Sequence, residues 1–240
     1  MSSIRTLRDD YGPRHPFNAQ IGWLIDNGQD HLRRMRVDGD SFYRSVAFAC
    51  VEKILHAQDP RQEVKRAVEV LDSTRLLLEV AGFQPSLYED SLAIFQSIVQ
   101  QIVTPDINGE TMTPEILLEA FQHPEVSNSV VLYFRLLTAA QIRAEPESYI
   151  PYLIDFQLEP MQFCEKYVQE MGVPADEVQI AALSRALGVT VEVGQLQDHT
   201  AAVAASRVKF VAYQGTPAVH DSNSSPIVLL NRLVICTLDV

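Results

Sequence analysis

Cysteine is scarce: Cys50, Cys164 and Cys236 are the three in 240 residues, an odd number without a C-x-x-C pair. That pattern indicates neither a disulfide framework nor a thiolate zinc site, and it points to a reducing, intracellular and cytoplasmic setting. Long apolar runs are missing too, since none reaches the roughly 18 residues that a membrane-spanning helix needs. Met1 to Asp10 contains acidic residues and no apolar stretch of the kind a secretory leader requires, so no leader is expected. Basic side chains are outnumbered, 19 against 31 acidic ones for a formal charge of −12. This balance argues against nucleic acid as a partner and suits a protein partner of basic or mixed charge. The histidines, His15, His31, His56, His123, His199 and His220, are scattered without metal-ligand spacing, so neither a metal nor a cofactor is implied.

Against these absences stands a hydrophobic content of 47%, enough in a chain of this length to bury one substantial core. Met1 to Pro16 is polar and carries Pro13 and Pro16, which reads as an irregular arm, with a first helix over Asn18 to His31. Helical periodicity recurs over Pro60 to Ala81, Ser86 to Val103 and Asn128 to Ala144. Thr113-Pro114 supplies a helix start, an N-cap followed by proline at the first position. After the helix from Glu177 to Leu187, Gly188 marks a stop, and Val189, Val191 and Val193 then alternate with polar residues as in a strand. Lys209 to Tyr213 reads as another strand and Ile227 to Leu238 as one or two more.

The most informative stretch is Val37-Asp38-Gly39-Asp40-Ser41-Phe42-Tyr43-Arg44, an acidic glycine turn running into a segment whose apolar residues Phe42, Val46, Ala49, Cys50 and Ile54 recur at helical spacing. Ser41 therefore falls in the first turn of a helix. Free backbone N–H groups and the positive end of the helix dipole converge there, which is where a nucleophile or an oxyanion is stabilised.

This stretch resembles the otubain branch of the OTU cysteine deubiquitinases, whose motif reads Asp-Gly-Asn-Cys-Phe-Tyr-Arg. The chain keeps Asp38, Gly39, Phe42, Tyr43 and Arg44, but has Asp40 in place of the asparagine and Ser41 in place of the nucleophilic cysteine. The likeness continues through Tyr133-Phe134-Arg135-Leu136-Leu137-Thr138, through Phe163-Cys164, and through Glu177 to Val193. It implies an α+β, papain-like domain over residues 17–240, with helices packed around a small, mostly antiparallel sheet. Asp38 would make turn hydrogen bonds and shape the oxyanion site. In the family the last hairpin reads Leu-Leu-Tyr-Arg-Pro-Gly-His-Tyr-Asp, supplying the base and the acid that orients it. Laying Leu229-Leu230-Asn231-Arg232 on that motif puts Ile235 at the histidine and Thr237 at the aspartate.

A serine hydroxyl attacks a carbonyl only when an aligned base takes its proton. With nucleophile, base and orienting acid all altered, the resemblance implies a catalytically inactive pseudo-deubiquitinase. It would serve as a protein-binding or scaffold subunit, bound to ubiquitin or inside a larger complex, and would not be an enzyme. The alternative is an active isopeptidase with its nucleophile at position 41, as Ser41 or as a wild-type cysteine, and with a displaced base in His220 beside Asp221. Asp38 and Asp40 share one tight turn but lack the further ligands of a cation site. A partner is expected on the helix around Tyr133 to Ile142 and on the hairpins near Val193 and Phe210.

Overall fold

The computed structural model describes residues 1–196, 207–215, 225–231 and 235–237, with 155, 231 and 235–237 described as backbone alone. The helical stretches become α1 (Phe17–Asp26), α2 (Ser41–Leu55), α3 (Pro60–Val80), α4 (Glu89–Gln100), α5 (Pro114–Gln122), α6 (Pro124–Ala144), α7 (Ile150–Leu153), α8 (Pro160–Phe163) and α9 (Glu177–Leu187). Local chemistry sets several of these ends. Thr113 Oγ1 accepts from the Ile116 N–H at 3.3 Å ahead of α5. Asp176 and Gln179 form a reciprocal capping box at the start of α9, and Gly188 ends that helix at φ 67°, where a β-carbon would be strained.

The strands are β1 (Ser2–Ser3), β2 (His31–Arg34), β3 (Val191–Gln195), β4 (Lys209–Tyr213), β5 (Ile227–Asn231) and β6 (Ile235–Thr237), paired in the order β1-β2-β6-β5-β3-β4. All neighbours run antiparallel except β3 and β5. The α+β class and the mostly antiparallel sheet are thus as the sequence implies. No helix among the described residues is long and apolar enough to cross a membrane.

Two expectations change. The first helix stops at Asp26 rather than His31, because the chain turns at Gly28 with φ 88° and re-enters as β2, where Leu32 is buried between more exposed neighbours. The amino-terminal residues are also more regular than a loose arm. Ser2–Ser3 pairs with β2, and Ile4–Asp10 is a 3₁₀ helix whose Ile4 and Leu7 are fully buried. They pack with Phe17, Ile21, Leu24, Leu32, Val208 and Leu230 into a small second core, and this apolar burial holds the segment in place.

The main core is organised by α6, which is packed against α2, α3, α4, α5 and α9. Between Val130 and Ile142 nearly every side chain is buried, Arg135 among them. On its other side α2 meets β5 and β6. Residue 41, at the head of α2, therefore sits where the helical layer and the sheet come together.

Candidate active site

The turn ahead of α2 is closed by its own hydrogen bonds. The Ser41 N–H donates to the Asp38 carbonyl at 3.2 Å, and the Asp40 N–H donates to Asp38 Oδ1 at 3.0 Å. Asp38 Oδ2 faces two cations, Arg36 Nε at 3.3 Å and Arg44 Nη2 at 3.4 Å. Asp38 thus makes the turn contacts expected of it, and Arg44 serves as an anchor. Ser41 is only 8% exposed.

Asp40 has the N-cap position of α2, yet its side chain does not cap the helix. Its Oδ1 instead accepts from Arg135 Nε at 2.9 Å, Arg135 Nη2 at 2.5 Å and the Gly172 N–H at 2.9 Å. The Arg135 guanidinium, 0% exposed, also donates to the carbonyls of Gly39 (3.1 Å), Val168 (2.9 Å) and Val173 (2.6 Å). It lies over the Tyr43 ring at 4.4 Å. One arginine of the central helix therefore ties the turn to the segment 168–173. Arg135 lies in the family-like stretch Tyr133 to Thr138, which by itself assigns it no role at the turn. The signal was present, since a guanidinium on an otherwise apolar helix has to find a partner, and the aspartate at 40 is the matching charge.

Both carboxylates of the turn are occupied by arginines and backbone N–H groups, an arrangement of ion pairs and not of a cation site. Neither Cys50 nor Cys164 is a substitute nucleophile. Burial pushes the Cys164 thiol up to about 11, and likewise pushes Cys50 up to about 12, so both stay protonated and unreactive at neutral pH.

The remaining candidates divide by position. The backbone of Ile235 lies in β6 opposite Arg34 of β2 and Leu230 of β5, and that of Thr237 lies opposite Val228. This strand packs against α2. His220, the displaced base considered above, lies outside the described residues, as does His199. His56 caps the far end of α2, fifteen positions beyond Ser41 and so about 22 Å along the axis. His123 precedes α6, twelve positions before Arg135 or about 18 Å along the axis. His15 accepts from the Phe17 N–H and stacks on Tyr11, and exposed His31 pairs with Ser3 at the sheet edge.

The docking surface expected on Tyr133 to Ile142 is not available. Tyr133, Phe134, Leu137, Ala139, Ala140 and Ile142 are fully buried in the main core. Exposed apolar side chains lie just beyond, at Ile150, Tyr152, Ile154, Phe156 and Met161.

Among known proteins, the family described as Peptidase C65 Otubain matches residues 2–233. The OVARIAN TUMOR DOMAIN-containing deubiquitinating enzyme 1 of Arabidopsis thaliana is 30% identical over 191 residues, covering 79% of this chain and 61% of that protein. Ubiquitin thioesterase OTUB2 of Homo sapiens is 30% identical over 162 residues, 68% of this chain and 65% of that one. The chain thus spans less than two thirds of the length of these curated relatives. In fold it is similar to a solved structure of h/ceOTUB1 with ubiquitin aldehyde and UBC13~Ub, with a TM-score of 0.80 at 22% identity over 99% of this chain and 88% of that one.

Proposed function

Because the chain belongs to the otubain family of peptidases, we propose that it keeps the family's protein-binding role without its hydrolysis. It would be a pseudo-deubiquitinase that holds ubiquitin or serves as a scaffold subunit. The observation that carries this reading is the state of position 41. A serine stands there with its backbone N–H held by the Asp38 carbonyl, while the preceding carboxylate is bound by a buried arginine. A thiolate is absent from that position, and the Ser41 and Asp40 N–H groups, which could meet an oxyanion there, are both engaged by Asp38. The assignment of Ile235 and Thr237 to the family's histidine and aspartate adds support, since aliphatic and hydroxyl side chains cannot act as base and orienting acid.

A second reading, an isopeptidase working through Ser41 and His220, draws on the names of the relatives, a deubiquitinating enzyme and a ubiquitin thioesterase. It requires His220 to reach the head of α2.

For the partner, the solved structure that the fold resembles contains ubiquitin aldehyde and UBC13~Ub, and ubiquitin is the occupant we propose. The exposed residues Ile150, Tyr152, Ile154, Phe156 and Met161, beside exposed Glu147 and Glu159, would suit its apolar and basic recognition face. Titration calorimetry of the chain with ubiquitin tests this. Binding that weakens at least about tenfold in Ile154→Asp fits the reading, since losing an interfacial apolar anchor costs that much or more. Absence of binding by the unaltered chain leaves only the scaffold role, and purification from native extract as a lone monomer would remove that too.

A further inference from the structure

We propose that Asp40 and Arg135 form a latch that holds the turn before residue 41 shut against the segment 168–173, a second bar to hydrolysis beside the serine itself. The proposal rests on the non-hydrolytic reading above and adds a physical device to it.

Its starting point is the single change from asparagine in the family motif to Asp40. A carboxamide is neutral, whereas the carboxylate brings a full charge to a guanidinium that is completely buried. One oxygen, Asp40 Oδ1, collects both Arg135 donors and the Gly172 N–H. Arg135 Nη2 also reaches the carbonyls of Gly39, before the turn's end, and Val173, while Nη1 donates to that of Val168, so the two valine carbonyls bracket the segment. Val168 closes a π-helix running from Cys164. The second amide holding this region, Gln179 Nε2, donates to the Tyr167 carbonyl at 3.2 Å.

Geometry makes the two parts move together. To release the Ser41 N–H from Asp38, the turn has to rotate, and rotation carries the Gly39 carbonyl and the Asp40 carboxylate away from Arg135. That would leave a buried charge without its partner, an expensive state. The ion pair therefore stabilises the very conformation in which the backbone N–H is unavailable to an oxyanion. Asp40 acts as a positioning residue, through Arg135 and Gly172, on the turn that presents residue 41.

Hydrogen exchange on the intact chain and on Asp40→Asn tests the latch, because this variant keeps one acceptor oxygen and removes only the charge. Exchange should rise about tenfold or more in residues 37–41 and 168–173, the effect of weakening hydrogen bonds to a charged group. Amides of α6 should stay within about twofold, as they open with the core. Unchanged exchange, or an equal rise through the whole chain, would overturn the proposal. A second readout separates opening from charge. In a Ser41→Cys background, the limiting rate at which the introduced thiol is alkylated by iodoacetamide at high pH should rise when Asp40→Asn is added. If only the pH midpoint of that reaction falls while the limiting rate stays the same, Asp40 tunes acidity alone and the latch is wrong. Neither readout involves ubiquitin, so the outcome is independent of whether the partner reading survives.

Discussion

Gly39 and Gly172 meet backbone to backbone: a β-carbon on Gly39 would stand 1.7 Å from the Gly172 carbonyl oxygen. This is a position where only glycine fits, for reasons of space and not of dihedral angle. Gly39→Ala must push the 168–173 segment off the turn and loosen the Arg135 contacts with it. The expected loss is about 3 kcal/mol or more in urea unfolding. Gly12→Ala, with nothing within 4 Å of its β-carbon, should change stability by less than about 0.5 kcal/mol. Equal effects would place the close approach elsewhere.

Arg135→Met removes the cation and leaves Asp40 buried opposite apolar atoms. Denaturant unfolding should show a loss of about 3–5 kcal/mol. Adding Asp40→Leu should recover part of it, because the uncompensated charge is then gone as well. A double variant less stable than the single one would mean that the two side chains do not act as a pair.

The head of α2 was legible because an acidic glycine turn and an apolar repeat meet at Ser41, and both signals are local. The Asp40 to Arg135 pairing spans 95 positions, so nothing local reveals it, although Arg135 within Val131-Leu132-Tyr133-Phe134 and Leu136-Leu137 announces a buried charge in need of a partner. The same stretch misled the expectation of a docking face. A helix apolar on all sides is a buried helix, and α6 is one. β2 carries no local strand signal, because its single buried residue, Leu32, has no flanking apolar partner; its strand character comes from pairing with β1 and with β6, the latter some 200 positions away. The caps at Thr113 and Gly188 lay where their chemistry put them.

Alkaline pH should destabilise the chain through its buried acids. Burial raises Cys164 from 9.0 to about 11, and Tyr149 and Tyr213 from 10.0 to about 12. A folded-state value above the unfolded one means the native state holds its proton more tightly. The associated stability is complete below pH 9 and is lost as the pH climbs towards 12. The melting temperature followed from pH 8 to about pH 12 should fall across that window, and Cys164→Ala should flatten its first part. A melting temperature that rises with pH there would contradict the burial of these groups.

Ser41→Cys alone should stay nearly inactive, since no imidazole is placed to take the thiol's proton or to give one to the leaving amine. Adding Ile235→His should restore weak hydrolysis of di-ubiquitin. Full activity of the single variant would mean that the tail correspondence at Ile235 and Thr237 is wrong and that His220, or another histidine, acts as the base.

The most direct test of the account is incubation of the unaltered chain with di-ubiquitin of every linkage and with a ubiquitin bearing a carboxyl-terminal electrophile. With serine at position 41 and its turn closed by Asp38, Asp40 and Arg135, neither cleavage nor covalent adduct is predicted. Cleavage that is abolished by Ser41→Ala would contradict it.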